Sequence, residues 1–160
     1  MDWWQRMKAR FAFTLEIDVE SYARSEGIDT RRVRIDAFAY VTSALYDLAG
    51  IADTDARLRW YVRNRKTLED GAPARLPRGA PMKLHLETTI IADRQGYSEW
   101  AEVPACEARR DLIAYITHEI PWLPVLANAR VRVLWQSRPA RGYHRVAPWP
   151  ARRREPEFGG

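Results

Sequence analysis

The chain repeats one pattern, in which an alternating strand is followed by an amphipathic helix and a second alternating strand. Alternation of apolar and polar residues predicts a half-buried strand, whereas apolar residues at spacings of three and four predict a helix with one buried face. Two such units predict an α+β domain of the ferredoxin-like βαββαβ type, with a four-stranded antiparallel sheet and two helices on one face. The segments are Phe11–Asp18, Asp29–Ala49 and Arg57–Asn64, then Lys83–Ala92, Pro104–Ile120 and Ala129–Gln136.

Residues at the helix ends suit the free backbone groups there. Asp18 is placed to accept hydrogen bonds from the first amides of a short helix over Val19–Glu26. Gly27 suits the left-handed residue that follows such a helix, and Gly50 is expected to end the longer helix of the first unit. Three tryptophans are expected to pack in the core or against helices, namely Trp60, Trp122 and Trp135.

Composition divides the chain into one domain and two terminal segments. The domain is predicted over residues 11–137, with a loop over 66–82 that is rich in proline and glycine. An N-terminal extension is predicted over 1–10, and a basic tail over 138–160. The tail is rich in proline, glycine and arginine, a composition that we expect to be disordered.

The net charge of +5 is concentrated in the tail. From Arg138 onward there are six arginines and two glutamates, so the rest of the chain is close to neutral. A basic segment of this kind is typical of chains that bind nucleic acid.

The sheet face opposite the helices is also predicted to be basic. Alternation places arginines on both edge strands, with Lys83 between them, and Tyr61 is the aromatic side chain available to stack on a base. This pattern favours nucleic-acid binding through phosphate contacts, although edge arginines also serve to prevent aggregation between sheets. The predicted nucleic-acid-binding residues are Arg57, Arg59, Tyr61, Arg63, Lys83, Arg130, Arg132, Arg141, Arg145, Arg152, Arg153 and Arg154.

Catalytic and metal sites are not expected. Glu16 and Asp18 end the first strand, where polymerase palms hold metal ligands. However, Glu16 is expected to face a basic residue across the sheet, and Asp18 to cap a helix. The three histidines lack metal-ligand spacing, and Cys106 has no base placed beside it. The chain is therefore expected to be non-enzymatic, with no catalytic residues, no metal and no cofactor. A metal-dependent phosphoryl-transfer enzyme that uses Glu16 and Asp18 is the remaining alternative.

Residues 11–45 contain I-D-V-E-S-Y-A-R-S-E-G-I-D, followed by V-R-I-D-A-F-A-Y-V. This stretch resembles short uncharacterised proteins of actinobacteria and their phages. The resemblance implies an actinobacterial or phage origin, and it implies no activity and no site residues.

Apolar runs are shorter than the roughly 18 residues of a membrane span, and a single cysteine suits a reducing cytoplasm. The leading hypothesis is a cytoplasmic, non-enzymatic module that binds nucleic acid or a nucleoprotein assembly. The alternative is a protein-interaction or assembly module, such as a phage structural or host-takeover protein. Its edge strands and tryptophan-bearing segments would then bind a protein partner or a second copy of the chain.

Overall fold

The computed structural model describes residues 5–62, 79–136 and 144–146. Five strands form one antiparallel sheet in the order β4-β1-β3-β2-β5. The strands are β1 (Arg6–Ile17), β2 (Arg57–Val62), β3 (Met82–Asp93), β4 (Val131–Gln136) and β5 (His144–Val146). The helices are α1 (Val19–Glu26), α2 (Val33–Asp47), α3 (Ala49–Ala52), α4 (Arg94–Ala101), α5 (Ala108–Glu119) and α6 (Pro124–Asn128).

The alternation of the strands determines which face of the sheet is buried. Along β1, every second residue from Met7 to Ile17 lies in the core. Phe13 and Trp60, on β1 and β2, meet edge to face with ring centroids 6.3 Å apart. Phe38 of α2 meets the same indole at 5.9 Å. The core therefore lies between this face and the helices, and we call the opposite face the open face.

The two halves of the domain correspond residue by residue, with each residue of the first half matched 75 positions later. Asp18 caps α1 by accepting a hydrogen bond from the Ser21 amide at 3.0 Å. Asp93 caps α4 by accepting one from the Gly96 amide at 3.0 Å. Identical pairs at this separation include Met7 and Met82, Lys8 and Lys83, Tyr22 and Tyr97, Asp36 and Asp111, Tyr40 and Tyr115, and Trp60 and Trp135.

Equivalent hydrogen bonds connect helices within each half. The Tyr22 hydroxyl donates to Asp36 at 3.0 Å, and the Tyr97 hydroxyl donates to Asp111 at 2.8 Å. In both halves the bond ties the first helix to the first turn of the longer helix. The correspondence therefore includes tertiary contacts as well as secondary structure.

A second equivalent pair of hydrogen bonds joins one half to the other. The Gly50 amide donates to the Tyr115 hydroxyl at 3.3 Å, and the Val125 amide donates to the Tyr40 hydroxyl at 3.2 Å. Each tyrosine comes from the longer helix of one half and meets the short helix near the end of the other. The contact between the halves is thus nearly symmetric.

Strand register places the pseudo-two-fold axis of the molecule. Ala12 of β1 pairs with Glu87 of β3, and these two residues are equivalent to each other. The outer pairings follow the same equivalence, because the register of β1 with β4 matches the register of β3 with β2 after the shift of 75 residues. The axis therefore passes between Ala12 and Glu87, and the second strand of each half pairs with the first strand of the other.

The predicted α+β class with an antiparallel sheet is confirmed, but the predicted count of four strands is not. The additional strand, β5, lies at the open side of β2 and falls within the predicted tail. Strand β1 begins at Arg6, inside the predicted N-terminal extension. Strand β5 is ordered by pairing with β2, which the composition of so short a segment does not predict, whereas β1 is longer than predicted.

The structure differs locally from the predictions in four further places. Helix α4 was not predicted, and the longer helix of the second half begins at Ala108 rather than Pro104 because Ala105–Glu107 forms a 3₁₀ turn. Gly50 lies inside α3 and does not end α2, which stops at Asp47. Trp122 is outside the core, with 70% of its surface exposed.

Candidate nucleic-acid interface

The open face carries most of the cationic side chains of the central strands. Because alternate residues face the same way, these cations are separated along each strand by residues that point into the core. All of them are exposed. They are Arg6, Lys8 and Arg10 on β1, Arg57 and Arg59 on β2, and Lys83 on β3.

Four of these cations occupy two adjacent rows of the sheet. One row runs from Lys8 through Ile91 to Arg57, and the next runs from Arg10 through Thr89 to Arg59. Neighbouring strands are about 4.8 Å apart, and alternate residues of one strand are about 6.8 Å apart. The four side chains therefore emerge from the corners of a patch of roughly 7 by 10 Å. We call Lys8, Arg10, Arg57 and Arg59 the cationic patch.

A buried carboxylate holds one corner of the cationic patch in place. The Arg10 guanidinium forms an ion pair with Glu87, whose side chain is fully buried. The same guanidinium lies over the Tyr61 ring, 5.1 Å from its centroid. The second Glu87 oxygen, Oε2, accepts no hydrogen bond from the part of the chain that the structure describes. Arg10 thus supplies the charge that compensates Glu87, and its position also fixes the Tyr61 ring at the border of the patch.

The other half of the open face has a different character. Thr14 Oγ1 and His85 Nδ1 are hydrogen-bonded at 2.8 Å. Glu16 lies opposite Lys83 on one side and Arg132 on the other in the strand register, so the expected basic residue across the sheet is Lys83. Lys83 is here accompanied by an acid and by neutral groups, so the cations among the described side chains are concentrated on the half that holds the cationic patch.

The sequence-predicted site residues are distributed as follows. Arg57, Arg59, Tyr61 and Lys83 lie on the open face. Arg132 lies in β4, and Arg145 lies in β5 opposite Tyr61. Arg130 precedes β4 in a left-handed conformation with φ 51°, so it does not belong to the strand face as predicted. Arg63, Arg141, Arg152, Arg153 and Arg154 lie outside the described residues.

Two members of the cationic patch were missed because they lie in the predicted N-terminal extension. Lys8 and Arg10 were interpreted as part of a terminal segment. The signal for their placement was present, since Met7 and Ala9 continue the apolar alternation of the strand upstream of Phe11. Extending the strand to the start of that alternation would have identified both residues.

The described residues include the groups that were considered for metal binding and nucleophilic catalysis. Within them no group of three or more His, Cys, Asp or Glu side chains is placed to hold a metal. Asp18 is engaged as the cap of α1, as predicted. Cys106 is exposed in the 3₁₀ turn before α5.

Comparisons with known proteins found no matching family model, no matching curated protein and no matching solved structure. None of the helices in the described ranges is both long and apolar enough to cross a membrane. The geometry of the open face is therefore the basis for a functional assignment.

Proposed function

We propose that the protein is a non-enzymatic module that binds single-stranded nucleic acid, alone or within a nucleoprotein, through the open face of its sheet. The observation that carries this proposal is the cationic patch beside the Tyr61 ring. Cations that follow the phosphate backbone, together with an aromatic ring that stacks on a base, are the elements of sequence-tolerant binding to single strands. The arginines of the tail add to the same electrostatic attraction.

The test is the salt dependence of binding to a generic single-stranded oligonucleotide, measured by fluorescence anisotropy. Substituting Lys8, Arg57 and Arg59 together with alanine should weaken binding at low salt and lower the slope of log K against log salt by about 2. Arg10 is left intact, because removing it would leave Glu87 buried without its cation. The variant would then be less stable, and a loss of binding could not be assigned to the lost phosphate contact. The tail is tested by alanine at Arg152, Arg153 and Arg154, since deleting it from Arg138 would also remove β5.

A matched control removes the same charge from the helix side of the molecule. Arg24, Arg31 and Arg32 are exposed on α1 and the following turn. Replacing all three with alanine should leave the salt slope unchanged within error. Absence of binding at low salt, or equal losses from the two triple variants, would exclude the proposal.

We further propose a ferredoxin-like classification and a cytoplasmic location. Strand order β4-β1-β3-β2, with a helix crossing over between β1 and β2 and between β3 and β4, supports the classification, with β5 as an addition. From the resemblance of residues 11–45 to short actinobacterial and phage proteins, we also propose an actinobacterial or phage origin.

The second candidate function is a protein-interaction or assembly module. The observation that favours it is the exposure of Trp122, because aromatic side chains dominate the energetics of protein interfaces. It lies on the helix side of the domain, away from the open face, so the two functions are compatible.

A further inference from the structure

The outer edge of β4 is unlike the equivalent edge of β2. These two strands correspond at the separation of 75 residues that relates the halves. Strand β2 pairs with β3 on one side and with β5 on the other, whereas β4 pairs with β1 alone among the described residues. An unpaired edge presents free N–H and C=O groups to which another strand can add.

A shallow apolar groove of about 600 Å³, largely open to solvent, follows one flank of α5. Ile113, Ala114 and Pro121 line it, together with Trp122 at its end. Trp122 is the most exposed large apolar side chain among the described residues. A protruding indole therefore lies directly beside an apolar hollow.

The same flank is closed in the first half of the molecule. Ala39 and Thr42 of α2 are 7% and 0% exposed. Their equivalents on α5 are Ala114, which is exposed, and Thr117, which is half-buried. At the position of Trp122 the first half carries Asp47. The apolar surface of this flank is thus specific to the second half.

We propose that two copies of the chain associate through this side, with the two β4 strands pairing antiparallel and the Trp122 of each copy entering the groove of the other. A two-fold interface brings the same patch of both subunits together, so a surface that carries both the protruding group and the hollow is self-complementary. Because β4 lies at one end of the sheet, direct pairing of β4 with its copy joins the two five-stranded sheets into one of ten strands.

Charge supports a second copy as the occupant. Arg110 lies in the first turn of α5, where the helix dipole disfavours a cation, and it forms no hydrogen bond or ion pair with another described residue. In the two-fold arrangement the two α5 helices run antiparallel. Each Arg110 then lies near the carboxyl end of the α5 helix of the other copy, where the negative end of the dipole is a favourable partner.

The test is the mass of the full chain by light scattering across a concentration series, combined with hydrogen exchange. We expect a concentration-dependent rise from 18.6 kDa to twice that mass. Trp122→Asp introduces the residue that the first half carries at this position, so the fold should tolerate it, and it should weaken dimerisation by about 30-fold or more. Ile113→Glu should act in the same direction, and circular dichroism reports whether each variant is folded.

Tyr46→Ala is the matched control, because Tyr46 is the other exposed large apolar residue among those described and lies on α2. It should leave the dimer intact. The amides of β4 should exchange more slowly at concentrations that favour the dimer. A monomer at every concentration, a dimer that Trp122→Asp leaves intact, or a dimer whose β4 amides exchange at the monomer's rate would each overturn the proposal. None of these outcomes depends on nucleic-acid binding.

Discussion

Gly50 brings the backbone of α3 so close to two aromatic rings that a side chain has no room. A Cβ atom there would lie 2.7 Å from the Tyr115 ring and 2.8 Å from the Trp100 ring. In the equivalent place in the other half, Val125 is accommodated against Tyr40. Val125 has room because the residue equivalent to Trp100 in the first half is the smaller Ser25. Gly50 is therefore a consequence of the larger aromatic neighbour.

Gly50→Ala should destabilise the protein by about 1–3 kcal/mol, because overpacking forces the rings or the backbone to shift. Urea denaturation measures this change in the free energy of unfolding. In a Trp100→Ser background the cost should be smaller, because the second ring is gone and a double-mutant cycle isolates the coupling. An equal cost in both backgrounds would contradict this explanation.

Tyr97 makes stability dependent on pH at the alkaline end. Burial, followed by the hydrogen bond to Asp111, raises the pKa of Tyr97 well above its ordinary value near 10. A group whose pKa is raised on folding contributes stability that is fully present below its unfolded pKa and is lost as pH rises through the folded one. The contribution of Tyr97 is therefore intact at neutral pH and falls above about pH 10.

Tyr97→Phe should destabilise the protein by about 1 kcal/mol at pH 7, since the hydrogen bond to Asp111 is lost. The same variant should flatten the fall in stability above about pH 10, because the titrating hydroxyl is gone. Denaturation curves between pH 7 and 11 measure both effects. A variant with the same alkaline slope as the parent protein would show that Tyr97 is not responsible.

At the scale of elements, the equivalent helices α1 and α4 are both followed by a residue in the left-handed conformation, but the residue differs between the halves. Gly27 after α1 has φ 64°, and Glu102 after α4 has φ 56°. The left-handed conformation suits glycine and strains other residues by roughly 1 kcal/mol. The second half therefore keeps the backbone geometry of the first without its favoured residue.

Gly27→Ala should lower stability by about 1 kcal/mol, whereas Glu102→Gly should leave it unchanged or raise it by a few tenths of a kcal/mol. In the second case relief of strain is partly offset by the greater freedom of glycine in the unfolded chain. Thermal unfolding of the two variants checks the opposite signs. Equal destabilisation by both would argue that space, rather than backbone conformation, limits these positions.

This difference also explains which elements could be predicted. The core strands were found because their alternation is long and regular, and α1 was found because Asp18 and Gly27 mark its two ends. Helix α4 was missed because Glu102 stands where a glycine would have marked its end. Strand β5 has only three residues and exists through pairing with β2, a contact distant in sequence that local patterns do not encode.

At the scale of the whole molecule, the two halves are interlocked. Strand β1 of the first half pairs with both strands of the second half, β3 and β4, and β3 pairs with both β1 and β2 of the first half. Neither half therefore forms a sheet from its own strands. The repeated pattern in the sequence predicted two units, but their intertwining follows from register. Of the candidate interface, the β2 arginines and Lys83 were predictable from alternation. The position of Lys8 and Arg10 beside the β2 arginines was not predicted, because the predicted first strand was shorter than β1.

The open face departs from the symmetry of the backbone. Ala12 and Glu87 are equivalent, as are Arg10 and His85. The pair that corresponds to Glu87 and Arg10 is therefore Ala12 and His85, which has neither a carboxylate nor an arginine. Because the cationic patch lies to one side of the pseudo-two-fold axis, the described side chains of the face form one such patch rather than two related ones. The two halves share a backbone arrangement, and different side chains at equivalent positions place the candidate site on one side of the axis.

The interlocked strands also bear on how the chain folds while it is being synthesised. Strand β1 leaves the ribosome before its neighbours β3 and β4, which begin at Met82 and Val131. At about 5–20 residues per second, the apolar face of β1 waits for several seconds or longer before both neighbours exist. During that interval Phe11 and Phe13 have no sheet to join, which makes the nascent chain a natural client for chaperones that shield apolar segments.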